Sequence, residues 1–269
     1  MTSGKRAVLG IDAAWGEKNP SGVALVREDA NGWSCLAVAG SHREFGRNVF
    51  SRETKTLDEL VQAAASDLGA SLVLLTVDMP LSHRIIDKRR EADNAITRNF
   101  SKNWCPCHSP QGDRPEKVSR RLYDMAKDAG FALHTTADHS AEKTLLEVYP
   151  HAALLRLLRL DKRLEYKVSR SRQLFPGASV EERKEKHLAA FQRVVGALSQ
   201  KIAGIPAFLP KSHKDVKSFA ALKSVEDALD ALVCAWVGVE YLEGRAEPFG
   251  DGSAAIWVPK PHSLCASTW

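Results

Sequence analysis

The sequence offers no disulfide framework. Its five cysteines (Cys35, Cys105, Cys107, Cys234 and Cys265) are odd in number and irregularly spaced in a chain of 269 residues, unlike the stapled pattern of a small secreted domain. No apolar run approaches the roughly 20 residues needed to cross a bilayer. Residues Met1 to Arg6 lead directly into a strand-like stretch, without the apolar core of a secretory signal. A protein of the reducing cytoplasm without a membrane partner is expected. Internal repeats and an interior linker are also missing, which favours a single domain over residues 1–269.

A second pair of metal ligands is missing too. Cys105-Pro106-Cys107-His108 invites a zinc reading. Structural zinc takes four ligands, however, and no second Cys or Cys-His pair stands at a usable spacing, so these thiols read as incidental to a loop. Composition is that of an ordinary globular protein, 44% hydrophobic and 26% charged. The net charge of +5 is unevenly placed. Between Arg156 and Arg172 seven basic residues face only Asp161 and Glu165, so this window carries the whole excess. It is either a solvated helix and loop or an arm that contacts phosphates, since nucleic-acid affinity is largely electrostatic.

Ala7–Ile11, Val23–Val26 and Trp33–Ala39 read as three strands separated by short turn segments, an antiparallel meander. Thr56–Leu68 has the apolar spacing of a helix, with Thr54 or Thr56 as cap and Gly69 as stop. Leu72–Val77 is almost wholly apolar, as a strand covered on both faces should be. The helix before it makes this crossover parallel and right-handed. Ser82–Arg98 reads as a charged surface helix in which Arg84, Arg89, Arg90 and Arg98 alternate with Asp87, Glu91 and Asp93. A proline-rich loop over 101–114 and a helix over Pro115–Gly130 follow. Thr144–Val148 is a fifth strand, and Pro150 opens a helix reaching Leu160. Two long helices cover Glu181–Ile202 and Ser224–Leu242, and the second is apolar enough to pack on the sheet. A basic helical insertion is placed at about 155–222. A loose tail follows at about 245–269, with Ala254–Val258 as its one ordered stretch.

Acidic residues stand at the edges of these elements. Asp12 follows the first strand, Asp78 follows the fourth and Glu147 lies in the fifth, while Asp227 and Asp230 share a face of the last helix. A carboxylate at the mouth of a buried strand is costly unless a cation or hydrogen bonds offset it, so the acids are expected to converge on one pocket. Each also has a plain structural reading: Asp12 capping a turn, Asp78 in an Asx-turn before Met79-Pro80, and Asp227 answering a helix dipole.

The element order matches a ribonuclease H-like α/β fold: a mixed five-stranded sheet, order 3-2-1-4-5, flanked by helices. Gly10-Ile11-Asp12-Ala13-Ala14-Trp15, Thr76-Val77-Asp78-Met79-Pro80, Glu147-Val148-Tyr149-Pro150 and Glu226-Asp227-Ala228-Leu229-Asp230-Ala231 resemble the domain-of-unknown-function 429 family of predicted ribonuclease H-like nucleases, over about residues 7–245. The last of these helices also resembles that of bacterial Holliday-junction resolvases, where such acids bind divalent metal.

The resemblance implies a metal-dependent nuclease, by analogy of fold. Phosphodiester hydrolysis needs an activated water and relief of charge on the phosphate, which two divalent ions about 3.5–4 Å apart supply. Mg²⁺ or Mn²⁺ suits an all-oxygen ligand set. Asp12 would bridge the ions, Asp78 and Glu147 would hold one, and Asp227 or Asp230 the other. Arg163, Lys167 and Arg170 are the candidate contacts to nucleic acid, DNA or RNA. His151 either orients a phosphate or water or serves a helix end, and Trp15 either stacks on a base or packs its loop. An actin-like or sugar-kinase-like phosphotransferase is the alternative enzyme, but it needs glycine-rich phosphate loops and usually a duplicated domain. A non-catalytic nucleic-acid-binding module with the same fold is the third class.

Overall fold

The structure, a computed structural model, describes residues 5–16, 19–107, 113–137 and 141–261, and of residues 113–116 the backbone only. It opens with the expected meander, β1 (Ala7–Asp12), β2 (Gly22–Asp29) and β3 (Gly32–Ala39). Helices α1 (His42–Phe50) and α2 (Leu57–Leu68) lead to β4 (Leu72–Val77). Then come α3 (Glu91–Phe100), α4 (Asp113–Asp128), β5 (Ala132–Leu133) and β6 (Thr144–Val148). Four helices follow: α5 (Pro150–Leu158), α6 (Ser171–Leu174), α7 (Val180–Leu198) and α8 (Phe219–Leu242). The chain then returns to the sheet as β7 (Ala246–Gly250) and β8 (Ala255–Pro259). Among the described residues no helix is long and apolar enough to cross a membrane.

The strands form one mixed sheet in the order β3-β2-β1-β4-β6-β8-β7, with β5 also on β6. Its first five positions reproduce the expected 3-2-1-4-5 order, β6 being the fifth strand of the sequence reading. β1 is antiparallel to β2 and parallel to β4, and β4, β6 and β8 continue in parallel.

Three expectations need correction. The tail is less loose than expected: Ala255–Pro259 falls on the stretch expected to be ordered, and Ala246–Gly250 is a further strand paired with it, while residues 262–269 lie outside the described residues. Gly250 and Gly252 mark a hairpin turn, in which the Asp251 carboxylate accepts from the amides of Ser253 and Ala254. Helix within Ser82–Arg98 is confined to α3, and Arg90 is buried rather than solvated. The loop expected over 101–114 is cut short by α4, which starts at Asp113. Sequence reading also missed α1, a helix capped by the Ser41 hydroxyl.

Side chains alternate across the sheet. Leu9, Ile11, Leu75, Val77 and Leu145 pack on one face with Leu60, Val61 and Ala64 of α2 and Leu122 and Ala126 of α4. Val8, Leu74, Leu146 and Val148 pack on the other with Leu229, Leu232 and Trp236 of α8. Helix α8 sits unusually close to the sheet. A Cβ on Gly10 would overlap the Ala231 carbonyl, and one on Gly22 would overlap the Asp227 carbonyl. Only glycine lets the helix backbone rest on these strands.

This contact makes a two-sided prediction for denaturant unfolding. Gly10→Ala must push α8 off the sheet and should cost about 1–3 kcal/mol or more. Gly196→Ala, in the interior of α7 where a Cβ meets nothing within 4 Å, should instead stabilise by roughly 0.5–1 kcal/mol. Equal effects at the two positions would contradict the packing described.

Candidate carboxylate site at the strand ends

Register brings the acids together. Asp12 is paired with Gly22, on which the Asp227 backbone rests. Ile11 is level with Val77 and accepts the Asp78 amide at 2.9 Å. Asp12 and Asp78 therefore stand side by side at the ends of β1 and β4, on the face that α8 covers. Two turns of α8 add Glu226, Asp227 and Asp230, all buried.

Glu147 obeys the same alternation with the opposite outcome. It is level with Val77 and so takes the other face of the sheet. There Arg90 meets it with two bonds of 2.6 and 2.8 Å, and the Leu81 amide donates at 2.7 Å. The remaining Arg90 donors go to Asp93 and the Leu81 carbonyl. All five guanidinium N–H groups are thereby used. Burial raises the Glu147 pKa and Arg90 opposes the shift. This ion group, one guanidinium between two carboxylates, ties residues 81–93 to the end of β6. It is a structural clamp rather than an open ligand.

On the α8 face two lysines enter the acid cluster. Lys167 reaches Asp230 at 2.5 Å and Glu226 at 3.3 Å, and Lys223 lies 3.1 Å from Glu226 and also bonds Asp227. The Tyr166 hydroxyl donates to Asp230 at 2.6 Å, and the Val168 amide donates to Glu226 at 2.5 Å. Residues 166–168 are thus laced onto α8. Lys167, expected at a nucleic-acid surface, lies in this acid floor. Burial works against its charge, but Asp230, Asp12 and Glu226 outweigh it and hold the pKa well above normal.

Asp12 and Asp78 are different. Both are half-buried, and among the described residues neither has a hydrogen-bond donor or salt-bridge partner for its carboxylate. Burial, then the charge of Asp230, raises the Asp12 pKa well above the usual range; Lys167 opposes this, and Asp78 and Asp227 add to it. Asp78 is pushed up to about 7, chiefly by burial, with Lys167 opposing and Asp230 reinforcing. Five carboxyl groups share the α8 side with two ammonium groups, and of the two without partners Asp78 lines a cleft.

That cleft, of about 330 Å³, is lined by Asp78, Trp15, Tyr149, His151, Arg163 and Arg170, among others. Arginine only donates, so the 2.5 Å contact from Arg163 makes His151 Nε2 an acceptor and leaves the proton on Nδ1. Burial, then the neighbouring Lys167, Arg163 and Arg170, keeps this ring neutral. Its buried Nδ1 has no partner among the described residues.

No three His, Cys, Asp or Glu side chains among the described residues form a ready-made metal site. Cys105 and Cys107 bond instead to the His151 carbonyl and to Asp93. His108 and Cys265 lie outside the described residues. The Asp12–Asp78 pair nonetheless fits a hard divalent ion such as Mg²⁺, which takes one or two carboxylates and keeps several waters.

Fold and site together define a mixed-sheet α/β protein with an acid-lined cleft at the C-terminal ends of its central parallel strands. The chain belongs to the family described as "Protein of unknown function (DUF429)", which it matches over residues 10–255. No curated protein matches it.

The raised Asp78 pKa sets a pH dependence. Between the ordinary carboxylate value of about 4 and its folded value of about 7, the unfolded chain binds fewer protons, so stability falls as pH rises. In metal-free buffer Asp78→Asn should raise the melting temperature at pH 8. The gain should shrink as pH is lowered through that window and vanish below about pH 4. A gain that does not vary with pH would contradict the assignment.

Proposed function

We propose that the protein hydrolyses phosphodiester bonds of nucleic acid with the help of a divalent cation, Mg²⁺ or Mn²⁺. The observation that carries this reading is the unpartnered pair Asp12 and Asp78 within a cluster whose lysines do not balance its acids. A half-buried group of like charges is costly, and a hard cation relieves that cost while drawing a phosphate toward the same place.

When bound, such an ion relieves charge on the phosphate and lowers the pKa of water. Asp12 and Asp78 hold it. Asp227 and Asp230 contribute to the extent that Lys223 and Lys167 yield, since both acids already carry a lysine. Tyr166 fixes one Asp230 oxygen and so orients the other. Arg163 and Arg170 bring positive charge to the cleft wall for a phosphate. Glu147 lines the same cleft, but Arg90 and the Leu81 amide already bond its oxygens, so it would join the ligands only if Arg90 yields.

A second reading follows from Lys167, whose ammonium already bridges Asp230 and Glu226. A lysine in a carboxylate cluster is a built-in counter-ion, as a binding module without turnover would have. One assay separates the two. Purified protein with Mn²⁺ or Mg²⁺ should cut labelled oligonucleotides, EDTA should stop it, and Asp12→Asn should reduce cutting to the level without protein. Saturable binding with no metal-dependent cutting would sink the hydrolase reading and leave the module.

A further inference from the structure

We propose that the substrate strand is unpaired: a single-stranded polynucleotide lying in a groove that runs from Trp15 past Asp78, over Arg163 and Arg170, to Trp104. The inference rests on reading the site as one for nucleic acid and adds the class of substrate.

The groove is built from two adjoining cavities. The first is the cleft that holds Asp78 and Trp15. The second, about 280 Å³, is lined by Trp104, Tyr166, Lys167 and Gln173. Arg163 and Arg170 line both, so they form the wall between them. One continuous path thus leads from Asp78 across two arginines to a second compartment.

Its ends are aromatic and exposed. Trp15 is 48% and Trp104 59% exposed, whereas Trp33, Trp236 and Trp257 are all buried. Both exposed tryptophans of the described residues therefore belong to this one groove. Trp104 also has a left-handed backbone, φ 63°, which is unfavourable for a bulky residue. Lys162 stands 4.6 Å from its ring centroid, adding a cation beside the aromatic face.

Asp78 and Glu165 also line the groove, but neither of its two arginines has a carboxylate partner among the described residues. Other arginines are neutralised: Arg52 is matched with Asp67, Arg98 with Glu91, Arg121 with Asp58 and Arg245 with Glu240. Arg163 bonds only a neutral imidazole, and Arg170 is exposed with no side-chain partner among the described residues. Unmatched guanidinium groups between two exposed indoles suit a chain of phosphates that also offers free base faces. A duplex offers the phosphates but keeps its base faces inside its own stack, so it would leave both indoles uncovered.

The test measures binding to the full chain in EDTA, by fluorescence anisotropy of labelled oligo-dT, oligo-U and a duplex of equal length. One of the two single strands should bind about tenfold or more tightly than the duplex, and the dT and U arms tell DNA from RNA. Trp15→Ala and Trp104→Ala should each weaken single-strand binding about tenfold while leaving the duplex little changed. Arg170→Glu, at an exposed side chain, should weaken it and flatten its salt dependence. Equal affinity for duplex, or an unchanged single-strand affinity in the Arg170 variant or in correctly melting Trp variants, overturns the groove. Single-strand binding in EDTA with no cutting after Mn²⁺ is added would refute the hydrolase reading and leave the groove standing. Cutting of duplex that is indifferent to both tryptophans would do the reverse.

Discussion

The seating of α8 directly on β1 and β2 is the constraint on which the rest depends. Gly10 and Gly22 remove the side chains that would hold the helix away, so its carbonyls rest on the strands. A contact of backbone on backbone has no slack. It fixes which turn of the helix faces the end of β1, and therefore that Asp227 and Asp230 sit by Asp12 and Asp78. A longer side chain at either glycine would move the helix and dissolve the cluster without touching any acid.

Two acid groups a few residues apart in the sheet show opposite electrostatic designs. Around Arg90 every donor is used and each carboxylate is bonded; the group is closed, and breaking it would leave a buried charge. Over α8 the carboxylates outnumber the lysines, and Asp12 and Asp78 carry raised pKa values chiefly because burial is not offset. The first arrangement holds the fold together. The second weakens it locally, which is the usual mark of a site kept for a ligand.

Much of the sheet was legible in the sequence. The runs at 7–11, 23–26, 33–39, 72–77 and 144–148 are apolar and bounded by turn residues, and each became a strand. The i, i+3 spacing of Asp227 and Asp230 likewise put both on the buried helix. What the sequence hid had physical reasons. Glu147 lies in a strand covered on both faces, where Leu145, Leu146 and Val148 give no alternation to tell which face it takes. Ala246–Gly250 was not legible as a strand because Pro248 and Gly250 interrupt it and only half-burial marks it, whereas the buried run that pairs with it stands out. Arg90 stood in a charged run, and only the tertiary fold shows it neutralised. The basic window points Lys167 to the surface, because nothing local marks a lysine destined for Glu226 and Asp230 sixty residues on. The i, i+4 pair Glu226 and Asp230 on an otherwise apolar helix was the available signal that some cation would have to meet them.

Anomalous diffraction from crystals soaked in millimolar Mn²⁺ bears most directly on the central claim, that the acids gathered by α8 form a cation site. A manganese peak coordinated by the carboxylates of Asp12 and Asp78 is the predicted result. Crystals with no peak at those carboxylates, and with Lys167 still on Asp230 and Glu226, would contradict it.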